Sequence, residues 1–316
     1  MLLPAYTEQY LRYLEKEQFQ GQPKSLYDSM NYILSLGGKR IRPILVMAGN
    51  SMAGGNVNAA LPVAHAIEIF HNFSLVHDDI MDDSLVRRGQ PTVHKKWNEP
   101  TAILSGDNLL IFAYKYLLNY DGVNKDLILS IFSDTAVKIC EGQQFDMEFA
   151  YTEGITEVHY LKMIEYKTAV LLGCALQCGG LTAGISLEHS QLLYDLAIDI
   201  GMQFQMMDDY LDAFGDSQLT GKKSGGDIIE GKKTWLYIKS QELNSATHLW
   251  FNELSGDARA EFVKKKWMDL QLDKMILDKS SEYRNNALKK IQAWESLGYN
   301  SEVLQEILDF LSVRKS

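Results

Sequence analysis

The sequence predicts an all-α fold: one domain over residues 1–316, a bundle of about ten or more helices. Three observations predict it. The six prolines (Pro4, Pro23, Pro43, Pro62, Pro91, Pro100) all fall within the first 100 residues, so two thirds of the chain lacks the residue that breaks helices. Apolar residues recur in most segments with a period of about 3.6. Alternation of apolar and polar residues between turn signals, the mark of a strand, is essentially absent.

Taken in order, residues 6–18 and 26–36 are amphipathic, and Gly37-Gly38 stops the second helix. Pro43 opens a helix over 43–48, because its fixed φ suits a first turn. Residues 61–83 form a long helix that starts apolar and ends acidic, followed by helices over 101–118, 125–149, 157–177 and 190–214. The uncharged run 168–187 is long enough to cross a bilayer. Its Gly173, Gly179, Gly180, Gly184 and Gln177 instead mark a buried helix with small contact residues, broken near Gly179-Gly180. Helices over 234–243, 258–268, 270–297 (with at least one break) and 301–313 complete the chain. Two connections are long, 87–101 and 215–233; each directly follows an acidic cluster and is placed to close over it.

Hydrophobic residues make up 46% and charged residues 23%, ordinary for a soluble globular protein. A formal charge of -10 argues against a nucleic-acid partner, which requires a basic face. An acidic chain can still hold an anion through bound metal and a few gathered cations. The three cysteines, Cys140, Cys174 and Cys178, are odd in number and not spaced as metal ligands, so they are expected to be reduced core thiols of a cytoplasmic protein. The apolar start runs into Pro4 and Glu8 before a signal segment can form, and no membrane span is expected.

The chemistry lies in two clusters of equal spacing, Asp78-Asp79-Ile80-Met81-Asp82 (extended by Asp83) and Asp208-Asp209-Tyr210-Leu211-Asp212. Helical residues three and four apart share a face, so each set of three carboxylates projects together. Carboxylates that close repel one another unless a cation sits between them. On facing helices the two sets would line an oxygen-rich slot suited to Mg²⁺, with phosphate oxygens completing its coordination. One such motif is weak, since acidic helix ends are common. Two copies at the ends of apolar helices, each followed by a basic loop with glycine, are specific.

Cations gather around these clusters. Lys39, Arg40 and Arg42 follow Gly37-Gly38 at a helix start, an arrangement suited to an anion as well as to a solvated basic turn. Arg87-Arg88-Gly89 follows the first cluster, and arginine forks match phosphate oxygens. Lys222-Lys223 and Lys232-Lys233 hold the corresponding place after the second. Lys167-Thr168 opens the uncharged run, as a surface cap or a phosphate ligand. Glu68-x-x-His71 has di-iron spacing, but the second copy that such a site needs is missing. His71 lies two helical turns before Asp78 and so on its face.

The ordered runs Gly37-Gly38-Lys39-Arg40-Ile41-Arg42-Pro43, His77 to Gly89, Gly142-Gln143-Gln144-Phe145-Asp146, Lys167-Thr168, and Gly201 to Asp216 resemble the successive signature motifs of the trans-isoprenyl diphosphate synthases, of the short-chain farnesyl or geranylgeranyl type. The resemblance covers roughly residues 35 to 240. It implies an all-α fold around a central cavity, a homodimer, and head-to-tail condensation of isopentenyl diphosphate with an allylic diphosphate (dimethylallyl, geranyl or farnesyl). It implies three Mg²⁺ ions, with Mn²⁺ as a substitute, held by Asp78, Asp82 and Asp208, with Asp79, Asp209 and Asp212 beside them or directly ligating. Arg87, Lys167 and Lys222 would hold the allylic diphosphate; Lys39, Arg42, His71 and Arg88 would hold isopentenyl diphosphate. Gln205 would lie beside the allylic group, Thr168 and Gln143 would face the developing carbocation, and Lys232 would help close the site. The product would be C15 to C20, with C20 favoured: the small Ser74 four before Asp78 leaves room for the tail, and Phe70 or the Phe73 five before it forms the floor. A terpene cyclase shares the ionisation step, and a non-catalytic subunit of a heteromeric synthase shares the fold. The full second cluster and the Gly-Gly-Lys-Arg run speak against both.

Overall fold

Helices dominate the computed structural model, which describes residues 2–215 and 225–312. In chain order they are α1 (Leu3–Lys16), α2 (Lys24–Ser35), α3 (Ile41–Met52), α4 (Val57–Met81), α5 (Val93–Lys96), α6 (Glu99–Asn119), α7 (Lys125–Phe149), α8 (Glu157–Ile164), α9 (Val170–Thr182), α10 (Leu187–Phe214), α11 (Gly226–Glu230), α12 (Trp235–Leu243), α13 (Thr247–Glu253), α14 (Gly256–Asp269), α15 (Leu272–Ser296) and α16 (Glu302–Ser312). A π-helical turn, Glu165–Ala169, joins α8 to α9. Among the described residues the strands are β1 (Val86–Arg87) and β2 (Gln90–Pro91), an antiparallel pair with Arg87 opposite Gln90.

Local chemistry sets the helix starts. Asn56 caps α4 by accepting from the Asn58 backbone N–H at 3.0 Å. Asn98 caps α6 by accepting from the Thr101 N–H at 2.8 Å, with Pro100 in the first turn where its missing N–H costs nothing. Thr156 and His159 form a reciprocal capping box at α8.

The chain divides into two compact units, the first comprising Met1–Ser133, Cys174–Leu193 and Gly298–Val303, the second Asp134–Gly173, Tyr194–Leu297 and Leu304–Ser316. In the first unit α4 is the central helix. It is also the one described helix long and apolar enough to cross a membrane, yet 72% of its apolar window is buried inside the protein. Gly106 lets α6 pass directly against the His77 ring, where any Cβ would clash. The second unit packs around Tyr160, Met206, Trp235, Trp250, Val263, Trp267 and Ile276.

Four sequence expectations need correction. Gly179-Gly180 does not break a helix: α9 runs on to Thr182, and a Cβ at Gly179 or Gly49 would strike the backbone of Val46 or Leu176, so the glycines serve close crossing of α3 and α9. The helix expected over 270–297 has no break but runs continuously from Leu272 to Ser296. The helix expected over 157–177 is interrupted by the π turn. Cys140 is exposed rather than a core thiol, while Cys174 and Cys178 are buried with their sulfurs 3.8 Å apart.

The interior of the first unit also holds a neutral histidine. His65 is fully buried, its Nδ1 paired with the Tyr10 hydroxyl at 3.1 Å. Burial, and then the Arg40 charge, lower its pKa to about 3. The unfolded chain therefore binds a proton that the native state refuses between about pH 6.5 and 3, so stability falls as pH drops through that window. His65→Phe is expected to reduce the slope of unfolding free energy against pH there by up to about 1.4 kcal/mol per unit. Urea titrations across the acid range measure it; an unchanged slope removes His65 as the source.

Candidate active site

In the first unit the acidic cluster sits where α4 ends. Asp82 is its C-cap and is exposed, Asp78 is half-buried, and Asp79 is buried at 1% exposure. Asp79 accepts two bonds from Arg87, from Nε at 2.8 Å and Nη2 at 2.7 Å. The backbone after α4 explains how Arg87 returns to it. Asp83 adopts a left-handed φ of 46°, and the chain enters the β1–β2 hairpin. The two loop residues, Arg88 and Gly89, have φ of 53° and 74°, the signs that a type I′ turn requires. Thr92 donates to the Ser84 carbonyl at 2.8 Å and Tyr32 to the Pro91 carbonyl at 2.8 Å, fixing the hairpin on both sides. Asp83, which extends the motif in sequence, pairs instead with Lys95 at 2.7 Å.

The cations of the same unit converge on His71. Arg42 Nη1 lies 3.0 Å from His71 Nε2. A guanidinium only donates, so Nε2 accepts and the imidazole proton resides on Nδ1. Burial, then the charges of Arg42, Arg88, Arg87 and Arg40, hold the His71 pKa well below its ordinary value, so the ring is neutral. Burial also pushes Arg42 down to about 10, leaving it charged at neutral pH, with its Nε buried and without a hydrogen-bond partner. Arg88 donates to the Gly37 carbonyl and lies over Gly38, where a Cβ would stand 2.5 Å from the guanidinium carbon. Lys39 is exposed on the same turn. Arg40, left-handed with φ 50° at the N-cap of α3, is buried against Glu68 at 2.5 Å. Glu68 and His71 thus face separate arginines rather than a shared metal.

The second unit repeats the carboxylate pattern at the end of α10. Asp208 and Asp212 are half-buried, and Asp209 is buried at 3%. Asp209 accepts from the Tyr160 hydroxyl at 2.5 Å and from Gln205 Nε2 at 3.1 Å, but burial pushes its pKa up to about 7. Asp212 Oδ2 accepts from the Asp227 N–H at 3.0 Å, and the Asp212 carbonyl accepts from the Gly225 N–H at 2.6 Å. These bonds bring a carboxylate that sequence reasoning missed, Asp227, beside the cluster; burial raises it to about 6, opposed by Lys232, whose Nζ is 3.9 Å away. The signal for Asp227 was the Gly225-Gly226-Asp227 run inside a stretch read only as a loop. Lys222 lies outside the described residues.

Lys167 and Thr168 ride on the π turn, whose extra residue re-aims side chains within a helix. Lys167 Nζ donates to Asp146 Oδ2 at 2.5 Å. Gly142 makes room for this, because a Cβ there would clash with the Tyr166–Lys167 backbone. Gln143, one residue on, is buried at 8%.

Both clusters share one division. The second aspartate of each is buried and hydrogen-bonded, while the first and last are half-buried or exposed. Among the described residues no three His, Cys, Asp or Glu side chains are gathered into a ready-made metal cage.

Further up α4 lies an aromatic box. Phe70 meets Phe73 at 5.3 Å between centroids and Phe132 edge-on at 5.1 Å; Tyr114 meets Phe132 at 5.1 Å. Ser74 turns its hydroxyl back to the His71 carbonyl at 2.9 Å. Phe132 and Tyr114 come from other helices, and sequence reasoning missed them.

Acidic helix ends with buried, hydrogen-bonded aspartates, and a cradle of arginines about a neutral imidazole, mark an all-α protein with candidate cation and anion sites. The chain belongs to the polyprenyl synthetase family, whose model matches residues 23–270. It is 42% identical over 221 residues to the short chain isoprenyl diphosphate synthase of Methanothermobacter thermautotrophicus, covering 70% of this chain and 68% of that protein. It is 41% identical over 272 residues to the geranylgeranyl diphosphate synthase of Saccharolobus solfataricus, covering 84% and 81%. A crystal structure of a geranylgeranyl pyrophosphate synthase superposes with a TM-score of 0.92 at 42% identity, covering 99% of both chains.

Proposed function

We propose that this protein is a Mg²⁺-dependent prenyltransferase that joins isopentenyl diphosphate head-to-tail to an allylic diphosphate, giving a C15 to C20 product with geranylgeranyl diphosphate favoured over farnesyl diphosphate. The observation that supports this reading is the shared division of the two aspartate clusters, each with its second aspartate buried and its first and last half-buried or exposed. The relatives' names and the superposition support the reaction class.

In this reading the two units act as one catalytic domain. Asp78, Asp82, Asp208 and Asp212 hold the metal, and Asp79 and Asp209 fix the neighbouring Arg87, Tyr160 and Gln205. Bound Mg²⁺ supplies charge stabilisation to the departing diphosphate. Arg87 and Lys167, with Lys222, hold that diphosphate as the allylic C–O bond breaks. Lys39, Arg42, His71 and Arg88 hold isopentenyl diphosphate, whose double bond attacks the allylic cation to form the new C–C bond. Thr168 and Gln143 offer oxygen dipoles to the cation, Gln205 lies beside the allylic group, and Lys232 helps close the site. The proton released in the last step passes to the departing diphosphate, so no separate strong base is needed.

We place the enzyme in the cytoplasm as a homodimer. Exposed Leu104, Ile111 and Leu118 along α6 support the dimer, since residues seven apart share one helix face. The deciding experiment incubates purified protein with Mg²⁺, isopentenyl diphosphate and each short allylic primer. Prenyl diphosphates that vanish with chelator are expected. A cyclic hydrocarbon from the allylic substrate alone, or no product, rejects the reading.

Product length is expected to follow the aromatic box. Ser74→Phe should shorten the product by blocking the tail beside His71. Phe70→Ala or Phe73→Ala should lengthen it, since removing a buried ring opens a cavity. Chromatography of dephosphorylated products reads this directly. The same length distribution in all three variants would discard α4 as the ruler.

A further inference from the structure

Glu68 belongs to a motif whose sequence spacing suggested a metal, yet its carboxylate performs none of the roles above. It lies inside the first unit with 2% of its side chain exposed, and so does its partner Arg40. Arg40 Nη1 donates to Glu68 Oε1 at 2.5 Å, and Arg40 Nη2 donates to the Leu34 carbonyl. The pair therefore ties three elements at one point: α4 through Glu68, the start of α3 through Arg40, and the last turn of α2 through Leu34. Asn72 also holds the carboxylate, donating to the same Glu68 Oε1 at 3.3 Å and to the Glu68 carbonyl at 2.8 Å.

That point sits beneath the turn that carries Lys39 and Arg42. Glu68 precedes His71 by three residues on α4, and Arg40 precedes Arg42 by two on the other side of the contact. The Glu68–Arg40 pair and the Arg42–His71 pair are thus successive rungs between the same two helices. Charge divides along the same lines. Of the four arginines about His71, Arg40 is matched by Glu68 and Arg87 by Asp79. Arg42 and Arg88 donate to neutral partners, the His71 imidazole and the Gly37 carbonyl, and feel the Glu68 carboxylate only through its field. Glu68 is hydrogen-bonded to one arginine, while Arg42 and Arg88 make no hydrogen bond to a carboxylate.

We propose that Glu68 is a positioning residue for the isopentenyl diphosphate site: it anchors Arg40, and through Arg40 the Gly37–Arg42 turn, so that Arg42 and Arg88 present their guanidinium groups to the diphosphate. This rests on the function proposed above and deepens it, since the residue touches no substrate and acts through Arg40. A buried pair with only structural value is the competing account. Replacing such a pair as a unit by apolar residues is often neutral for stability, whereas breaking one side is not.

The test uses Glu68→Gln and the double replacement Glu68→Met/Arg40→Met in the full-length enzyme. Steady-state kinetics with the second substrate saturating, and calorimetric titration of isopentenyl diphosphate into enzyme alone, give the readouts. Both variants are expected to raise KM and Kd for isopentenyl diphosphate by about tenfold or more, with KM for the allylic substrate changed less than about twofold. If Glu68→Gln does not fold, the double variant carries the same test, because its apolar pair restores packing without restoring the anchor. Folded variants with parental KM for isopentenyl diphosphate, or with both KM values raised alike, overturn the proposal. A parental enzyme that neither binds isopentenyl diphosphate nor condenses it overturns the functional reading instead, so the two failures are distinct.

Discussion

Asp78→Ala and Asp208→Ala are each expected to lower turnover by about a thousandfold or more, equivalent to at least about 4 kcal/mol of transition-state stabilisation. Breaking an allylic C–O bond leaves a diphosphate whose charge must be met as it develops, and in the proposed function cations held by the aspartates would meet it. Asp78 and Asp208 occupy the same place in their clusters: first in the motif, half-buried, next to a buried partner already committed to a neighbouring side chain. Neither replacement should unfold the protein, since neither aspartate is buried. Turnover at saturating Mg²⁺ and both substrates decides the matter. A rate near the parental value in one variant would show that a single cluster suffices, and would sink the reading that both share the metal. Asp79→Ala is a different experiment, because it frees Arg87 and leaves its charge without the carboxylate that orients it.

The sequence carried the fold class well because its signals were long. The α7 boundaries, Lys125–Phe149, agree at both ends with the expected helix, and α2 and α10 agree within a few residues. Features hidden from it were those in which a residue's usual meaning is overridden by packing. Gly179-Gly180 reads as a helix break, yet in a buried helix the missing side chains admit the α3 backbone. Arg88-Gly89 lies between strands too short to show alternation, so the type I′ turn had no visible flanks. The π turn at Lys167 differs from its neighbours by one hydrogen-bond step, which leaves no mark in composition.

The candidate site was legible to a similar degree. Aspartate spacing located both clusters near the ends of long helices, where α4 and α10 carry them. Which aspartate turns inward was not readable, because it depends on Arg87 and Tyr160, brought to Asp79 and Asp209 by other elements. Asp227 joins the second cluster through a backbone bond to Asp212, a contact no spacing rule encodes. Glu68 was read for its distance from His71, while its actual partner lies 28 residues away on another helix.

Arg42→Ala and His71→Ala are expected to raise KM for isopentenyl diphosphate by about 10- to 100-fold while changing KM for the allylic partner far less, since a lost charge-assisted hydrogen bond costs about 1.5–3 kcal/mol. The two residues should behave as a unit. Arg42 loses its fixed geometry without the His71 acceptor, and His71 loses its fixed tautomer without the Arg42 donor. The double variant should therefore cost less than the sum of the single ones. Lys167→Ala, and Lys222→Ala beyond the described residues, should show the reverse preference and raise KM for the allylic substrate. The neutral state of His71 adds an independent check. Its pKa is held well below the ordinary histidine value by burial and four nearby arginines, so the imidazole gains no proton between pH 6 and 8. Binding of isopentenyl diphosphate should then show no histidine titration over that range, and His71→Asn should leave its pH profile unchanged while weakening affinity. Equal effects of all these substitutions on both substrates would refute separate sites. A binding step that follows a protonation near pH 6.5 and is lost in His71→Asn would show instead that His71 is a charged ligand.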